Sequence, residues 1–372
     1  MNDMKVLFVT NIPSPYRTCF FNELGKICEL TVVFERGESG ERDGSWKKFS
    51  FENFEGVFLK GKNIGVDSAF CPGIVKFLKR NKFDRIILAN ISSPTVMLAI
   101  RYLKRHKIDY FIEIDGGLPK SGTGIKERIK KYFVGGAYGY FSPAAVSDGY
   151  CLTYGAEPSR IHRYPFTSLY EKDILKVPPT QGEKLALREK LGLSEEKIIV
   201  SVGRFSYLGG YGKGYDTLLA VAEKLPKNIG IYIIGDEPTE EFVRLKAEKG
   251  LDQVHYLSYK AKDELFLYYR AADLSVLLTR GDVWGLVINE SMANACPVLT
   301  TDACVAGLAV IRDGENGYIV PVNDPEKTFE KISAYFEGGE TQSAFAERAL
   351  ESIAPYTFEN MAAAHKEGLK LD

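Results

Sequence analysis

The sequence predicts an α/β chain built as two doubly wound domains, each around a parallel sheet. Three observations carry this. Short apolar runs at 5–10, 30–34, 197–202 and 274–278 have strand length and end in polar or glycine residues, as buried parallel strands do. Helical patterns separate them, which is the alternation that winds helices over a parallel sheet. With 372 residues, 45% of them hydrophobic, the chain can also fill two cores.

In order, residues 5–10 form the first strand, Asn11 to Arg17 reads as the loop leaving it, and 19–24 starts a helix before the second strand at 30–34. No G-x-G-x-x-G follows the first strand, so the nicotinamide and flavin fingerprint is absent. Residues 85–89 and 110–114 read as further strands, the second running into Asp115-Gly116-Gly117. The stretch 120–132 is basic, with Ile125, Ile129, Tyr132 and Phe133 at helical spacing. Such a helix either packs on its own domain or lies on an anionic membrane surface. Tyr164-Pro165-Phe166 and Val177-Pro178-Pro179 bracket a turn to polar composition, which sets a domain boundary near 170–180.

The second domain opens with a helix at 183–191 and a strand at 197–202 that runs into Gly203-Arg204-Phe205. A glycine-rich insertion at 207–212, expected to be a long mobile loop, leads to Lys213-Gly214-Tyr215-Asp216 and a helix at 217–225. Strands follow at 231–234 and 254–257, the latter ending at Ser258-Tyr259, and the chain closes with a helix at 358–369.

The formal net charge of −1 argues against a general nucleic-acid binder. It hides an asymmetry: residues 1–170 carry 25 Lys and Arg against 17 Asp and Glu, and the remainder 23 against 32. A basic first half suits an anionic membrane surface or a phosphorylated lipid, or is ordinary solvated charge. Six cysteines without C-x-x-C spacing suit reduced thiols. No signal-peptide pattern and no long apolar run is present, so the expected location is cytoplasmic, at the inner face of the membrane where that basic half is used.

The stretch from Arg280 to Tyr318 is the most informative. The strand at 274–278 ends in polar and glycine residues, Gly285 sits where the backbone must approach something closely, and 286–295 is helix-like. Open N–H groups at such a helix start attract an anion, most often a phosphate. Asp282 and Glu290 frame the turn with seven residues between them, about two helical turns, so both acids can serve one face. A phosphate at the helix start and hydroxyls within reach of carboxylates suit a sugar nucleotide; two unrelated acids are the other reading. Arg204 at a strand end and Lys213 a little further on can clamp two phosphates and stabilise the charge on a departing diphosphate.

This block resembles the donor site of retaining glycosyltransferases of the GT-B fold, family 4 in particular, whose pattern is Glu, seven residues, Glu around a Phe-Gly-Leu-like turn. Val283-Trp284-Gly285-Leu286 stands at that turn, Glu290 at the second Glu, and Asp282, one methylene shorter, at the first. Gly203-Arg204 and Lys213-Gly214 match the family's Gly-Arg and Lys-Gly pair, and 297–301 and 313–318 resemble its next strand and closing turn. The resemblance implies two Rossmann-like domains facing across a cleft: 1–172 on the acceptor side, 173–355 binding the nucleotide sugar, and 356–372 a helix crossing back.

It further implies a catalytic set of Arg204, Lys213, Asp282 and Asp115. Gly203, Trp284, Gly285, Leu286, Glu290 and Tyr259 are the implied donor contacts, Glu290 on the ribose and Tyr259 as a wall of the base pocket. Asn11, Tyr16 and Arg17 are the implied cleft residues, Arg17 either meeting a phosphate or serving as an ordinary loop arginine. Many relatives place a histidine near Asp115. None stands there in this chain, and Asp115, or Glu113 if the strand register differs, is left to take its place.

The implied reaction moves a sugar from a nucleotide diphosphate, taken as UDP, to a hydroxyl of a glycan or lipid-linked acceptor, with retention of configuration, in bacterial surface-polysaccharide synthesis. No metal or cofactor is expected, and neither D-x-D nor H-E-x-x-H occurs. Two alternatives stay open: a sugar-nucleotide epimerase, and a non-catalytic partner subunit of a glycosyltransferase pair.

Overall fold

A computed structural model describes residues 4–37, 50–64, 68–119 and 122–371. Lys120, at the start of the expected basic helix, lies outside these residues. The chain forms two units, Met1–Ser168 with Tyr356–Asp372, and Leu169–Pro355.

The first unit runs β1 (Lys5–Thr10), α1 (Pro15–Leu24), β2 (Glu29–Phe34), β3 (Phe54–Phe58), β4 (Lys62–Ile64), β5 (Ser68–Phe70), α2 (Gly73–Arg80), β6 (Arg85–Leu88), α3 (Pro94–His106), β7 (Phe111–Glu113), α4 (Ile125–Val134), β8 (Gly139–Ser142), α5 (Ala145–Thr153) and β9 (Ile161–Arg163). Its main sheet has the order β3-β2-β1-β6-β7-β8-β9, parallel throughout, with β4 and β5 as a separate antiparallel pair. The order reverses between β1 and β6, so the exits of β1, β6 and β7 border the crevice where doubly wound sheets take ligands. Val6 to Val9 and Val32 to Phe34 are wholly buried, as strands covered on both faces must be.

One sequence expectation is corrected here. Tyr16 and Arg17 do not lie on a loop; α1 begins at Pro15. Proline fits the first helical position because its missing N–H would have had no partner there and its ring presets the helical φ.

The second unit runs α6 (Gln181–Leu191), β10 (Lys197–Val202), α7 (Tyr215–Ala222), β11 (Ile229–Gly235), α8 (Glu240–Glu248), β12 (Val254–Ser258), α9 (Lys262–Ala271), β13 (Leu274–Leu277), α10 (Leu286–Ala293), β14 (Val298–Thr301), α11 (Val305–Val310), β15 (Gly317–Val320), α12 (Pro325–Glu337) and α13 (Gly339–Ile353). Its parallel sheet has the order β12-β11-β10-β13-β14-β15. The reversal falls between β10 and β13, which places the exits Gly203-Arg204 and Thr279 to Asp282 side by side. Thr180 and Glu183 cap α6 reciprocally, the Thr180 hydroxyl accepting from the Glu183 amide and the Glu183 carboxylate from the Thr180 amide, a pattern that starts helices reliably. The last helix, α14 (Phe358–Leu369), belongs to the first unit, where Arg85 Nε donates to the Leu369 carbonyl at 2.7 Å. Among the described residues no helix is long and apolar enough to cross a membrane.

Candidate active site

In the second unit, the segment after β10 and the segment after β13 are brought together by ionic and backbone contacts. Lys213 Nζ lies 2.6 Å from Asp282 Oδ2, with both side chains mostly shielded. The stem of Lys213 packs over Gly203: a Cβ added there would meet Lys213 Cγ at 3.1 Å and the Tyr215 hydroxyl at 2.9 Å. Glycine at 203 is therefore what lets the lysine cross the strand end.

The glycine-rich insertion, expected to be mobile, forms a 3-10 turn (Tyr207–Lys213) tied down on several sides. The Gly212 carbonyl accepts from the Arg280 amide and from the Thr279 hydroxyl, both at 3.0 Å. The Arg280 guanidinium pairs with both oxygens of Asp216, at 2.6 and 3.0 Å, and reaches Asn323 Oδ1 at 2.7 Å and the Tyr211 carbonyl. Asp236, at the exit of β11, accepts from the Phe205 and Ser206 amides. That carboxylate fixes the backbone just beyond Arg204, whose own side chain is half-buried.

The turn before α10 is equally constrained. Asp282 bridges to Cys304 in parallel fashion, and the Trp284 carbonyl accepts from the Ala306 amide at 2.9 Å and from Cys304 Sγ at 3.3 Å. The Trp284 ring is buried and its Nε1 donates to Asn289 Oδ1 at 3.0 Å, so its indole supports the turn from within. Gly285 has φ of +105°, and a Cβ there would stand 2.7 Å from Cys304 Sγ. The N-cap of α10 is Gly285, which has no side chain to cap the amides opening at Leu286, and this leaves the helix start suited to an anion. Glu290 is half-buried on α10, and burial by its surroundings together with the Glu290 charge raises the Tyr269 phenol well above its ordinary range. Tyr259, past β12, is 56% exposed.

In the first unit, Arg17 is buried and pairs with Glu113 through one guanidinium nitrogen and with Asp115 through another. The rings of Phe8 and Phe166 lie 5.8 and 5.2 Å from its guanidinium carbon. Arg17, itself buried on α1, therefore serves these two carboxylates and does not line a surface. Burial pushes Glu113 up, but Arg17 and the His365 hydrogen bond outweigh it and hold its carboxyl below the usual range. Loss of solvation raises Asp115, with Arg17 opposing and Glu113 adding to the rise; its side chain remains 40% exposed. Tyr16 packs edge-on against Phe166, and the Asn11 carbonyl accepts from the Glu35 and Arg36 amides. Among the described residues no cluster of three or more metal-holding side chains is present.

Sequence reading missed Arg280, Asp216, Asp236 and His365. The first three lie at strand exits or helix starts, where they fasten the turns around Arg204 and Lys213, and they carry no local pattern of their own. His365 had only its place on a helix as a signal.

Residues 183–352 match the family model for glycosyl transferases group 1. The D-inositol 3-phosphate glycosyltransferase of Mycobacteroides abscessus is 31% identical over 193 residues, which are 49% of this chain and 41% of that protein. The enzyme of the same name from Geodermatophilus obscurus is 30% identical over 251 residues, 58% of this chain and 52% of that one. The chain thus spans about half the length of these relatives. The solved structure of Anabaena Alr3699/HepE in complex with UDP and glucose aligns over 99% of both chains with a TM-score of 0.77 at 16% identity. Two parallel-sheet α/β units in this order give the chain the GT-B fold, and most of its second unit matches the glycosyl transferases group 1 model.

Proposed function

We propose that this protein is a retaining glycosyltransferase that moves a sugar from a nucleotide diphosphate, UDP by preference, to a hydroxyl of a glycan or lipid-linked acceptor. The observation that carries the reading is the Lys213–Asp282 pair beside the uncapped start of α10. A cation, an acid and open helix amides meet at the switch point of a parallel sheet, where a diphosphate and the sugar attached to it have complementary partners. The group 1 match over this unit and the fold shared with a UDP- and glucose-bound protein support the same donor class.

In this mechanism Arg204 and Lys213 take the two phosphates and the backbone at Gly203, Gly285 and Leu286 completes the cradle. Trp284 contributes by holding the turn, since its ring is buried. Glu290 accepts from the ribose hydroxyls, Asp282 orients the donor sugar, and Tyr259 walls the base. As the bond from the anomeric carbon to the diphosphate oxygen breaks, these cations and amides stabilise the growing charge. The acceptor hydroxyl bonds to the same face of that carbon, and its proton passes to the departing phosphate. Asp115, at the exit of β7, is given the catalytic part of the histidine that many relatives place near this position.

The test is thermal shift with UDP, GDP, ADP and their sugars on the wild type and on Glu290→Ala and Arg204→Ala. Stabilisation by one nucleotide, lost in both variants, is expected. No stabilisation at millimolar nucleotide would overturn the reading in favour of a non-catalytic partner subunit, and release of an altered nucleotide sugar without acceptor would point to an epimerase.

The acceptor is proposed to be met at an anionic membrane surface. On α4, Ile125, Ile129 and Tyr132 are 76, 45 and 49% exposed among Lys126, Arg128, Lys130 and Lys131. An apolar stripe flanked by cations is what an anionic bilayer attracts. Co-sedimentation with phosphatidylglycerol vesicles, lost in an Ile125→Glu/Ile129→Glu variant and absent with phosphatidylcholine, is the expected result.

A further inference from the structure

The first unit holds a chain of charged groups that runs from its core to the exit of β7. His365, on α14, is wholly buried; its Nδ1 faces the Met361 carbonyl at 2.8 Å and its Nε2 faces Glu113 Oε2 at 2.6 Å. Both ring nitrogens therefore face oxygen acceptors, a backbone carbonyl on one side and a carboxylate on the other, which fixes the plane of the ring. The other oxygen of Glu113 takes one nitrogen of Arg17, and a second nitrogen of Arg17 takes Asp115 Oδ1. The contacts run unbroken along the row, and only its last member, Asp115, is substantially exposed.

The setting around the row is apolar and tight. The imidazole stacks on Phe141 at 4.3 Å between centroids and is enclosed by Phe20 at 4.7 Å and Tyr164 at 4.9 Å. The Tyr164 hydroxyl donates to the Ile114 carbonyl at 2.8 Å, which fixes the backbone between Glu113 and Asp115. Ion pairs buried in this way stabilise a fold little, and apolar side chains of similar volume often do better. Such a row has a purpose beyond packing when its outer end must be held in one orientation.

We infer that His365 and Glu113 are positioning residues that lock Arg17, and through it hold the Asp115 carboxylate in the orientation that the transfer step needs. Arg17 is consequently a second link in the row and does not bind phosphate. The inference rests on the proposed glycosyl transfer and on the place given there to Asp115. It adds that a helix more than 240 residues downstream of Asp115 in sequence sets the geometry of that carboxylate.

The experiment uses the full chain, with UDP-glucose, or whichever nucleotide sugar stabilises the wild type, and UDP release as readout. In this release without acceptor, water bonds to the anomeric carbon, the bond to the diphosphate oxygen breaks, and the water proton passes to UDP. Compared are the wild type, His365→Phe, Asp115→Asn and the double variant. Phenylalanine keeps the stacked ring and removes both polar contacts.

The expected result is a kcat at least tenfold lower in His365→Phe, with the donor KM and the UDP-induced thermal shift unchanged, a similar fall in Asp115→Asn, and no further fall in the double variant. A structural role alone would not make the two losses non-additive. Wild-type kcat in a folded His365→Phe, or losses that multiply, would overturn the inference. If His365→Phe does not fold, Glu113→Gln takes its place with the same criteria. An absent UDP shift or absent turnover in the wild type would instead sink the glycosyl-transfer reading itself, and an active Asp115→Asn would leave the row nothing to position.

Discussion

Lys213 Nζ and Asp282 Oδ2 stand 2.6 Å apart, joining the segment after β10 to the segment after β13 across the switch point of the second sheet. The pair fixes the ammonium beside Asp282, three residues before the Gly285 N-cap of α10. On the proposed mechanism the lysine exchanges part of its contact with Asp282 for the departing diphosphate.

Lys213→Ala is expected to lower turnover by roughly 10²- to 10³-fold, the usual loss when one preorganised charge-stabilising donor is removed. Asp282→Asn keeps the lysine and is expected to cost less in turnover while raising the donor KM. Steady-state kinetics on both variants provide the check. A Lys213→Ala enzyme within threefold of wild type would show that this ammonium does not meet the leaving group.

Within one turn, two glycines are expected to respond differently to alanine. Gly214 has φ of +71°, and a Cβ there would run into the Leu278 carbonyl. Gly209 has φ of +63° with open space around it. Gly209→Ala bears only the left-handed strain, about 1–2 kcal/mol. Gly214→Ala adds a backbone clash and is expected to exceed that by about 1–3 kcal/mol. Urea denaturation of the two variants gives the comparison directly, and equal losses would contradict the geometry.

The contrast explains what the sequence could tell. The strand at 197–202 and the helix at 358–369 were legible to the residue, because an apolar run or a 3.6-residue period is written locally. The turn before α10 was legible because glycine and the two acids lie within nine residues of one another. α1 starts four residues before the expected position, because Pro15, a loop signal in the sequence, is a first-turn residue in the fold. Arg280 with Asp216, and His365 with Glu113, lie 64 and 252 residues apart. The strand order brings the first pair together and the return of α14 to the first unit the second, and no period in the chain records either.

Arg280 bears on a third expectation. Its guanidinium meets both oxygens of Asp216 while its backbone N–H holds Gly212, so it fastens the 3-10 turn to the start of α7. Lysine cannot reproduce a forked pair. Arg280→Lys should lower stability by about 1–2 kcal/mol, allowing for the partial exposure of both partners. It should also weaken UDP binding several-fold, because the turn that carries Lys213 loosens. Calorimetric titration with UDP measures the second effect. Undiminished affinity would separate the fastening of the turn from the donor site.

The buried thiols give an expectation for alkaline solution. Burial pushes Cys151, Cys296 and Cys304 up to about 12. Cys304 is also raised by the Asp282 charge, and Cys151 by Asp148. An unfolded thiol titrates near 8.5. Between roughly pH 8.5 and 12 the unfolded chain has therefore lost protons that the folded chain keeps, and stability falls as pH rises, by about 1.4 kcal/mol per pH unit for each thiol. Tyr232 and Tyr256, also raised to about 12, act in the same direction, but only as pH approaches 10 where an unfolded phenol titrates. Urea melts at pH 8.0, 8.8 and 9.4 thus read mainly the thiols. Cys296→Ala is expected to start from lower stability and to show a shallower decline over that range. An unchanged slope in this variant would mean that Cys296 reaches solvent in the folded protein, and Ellman's reagent would then label it without denaturant.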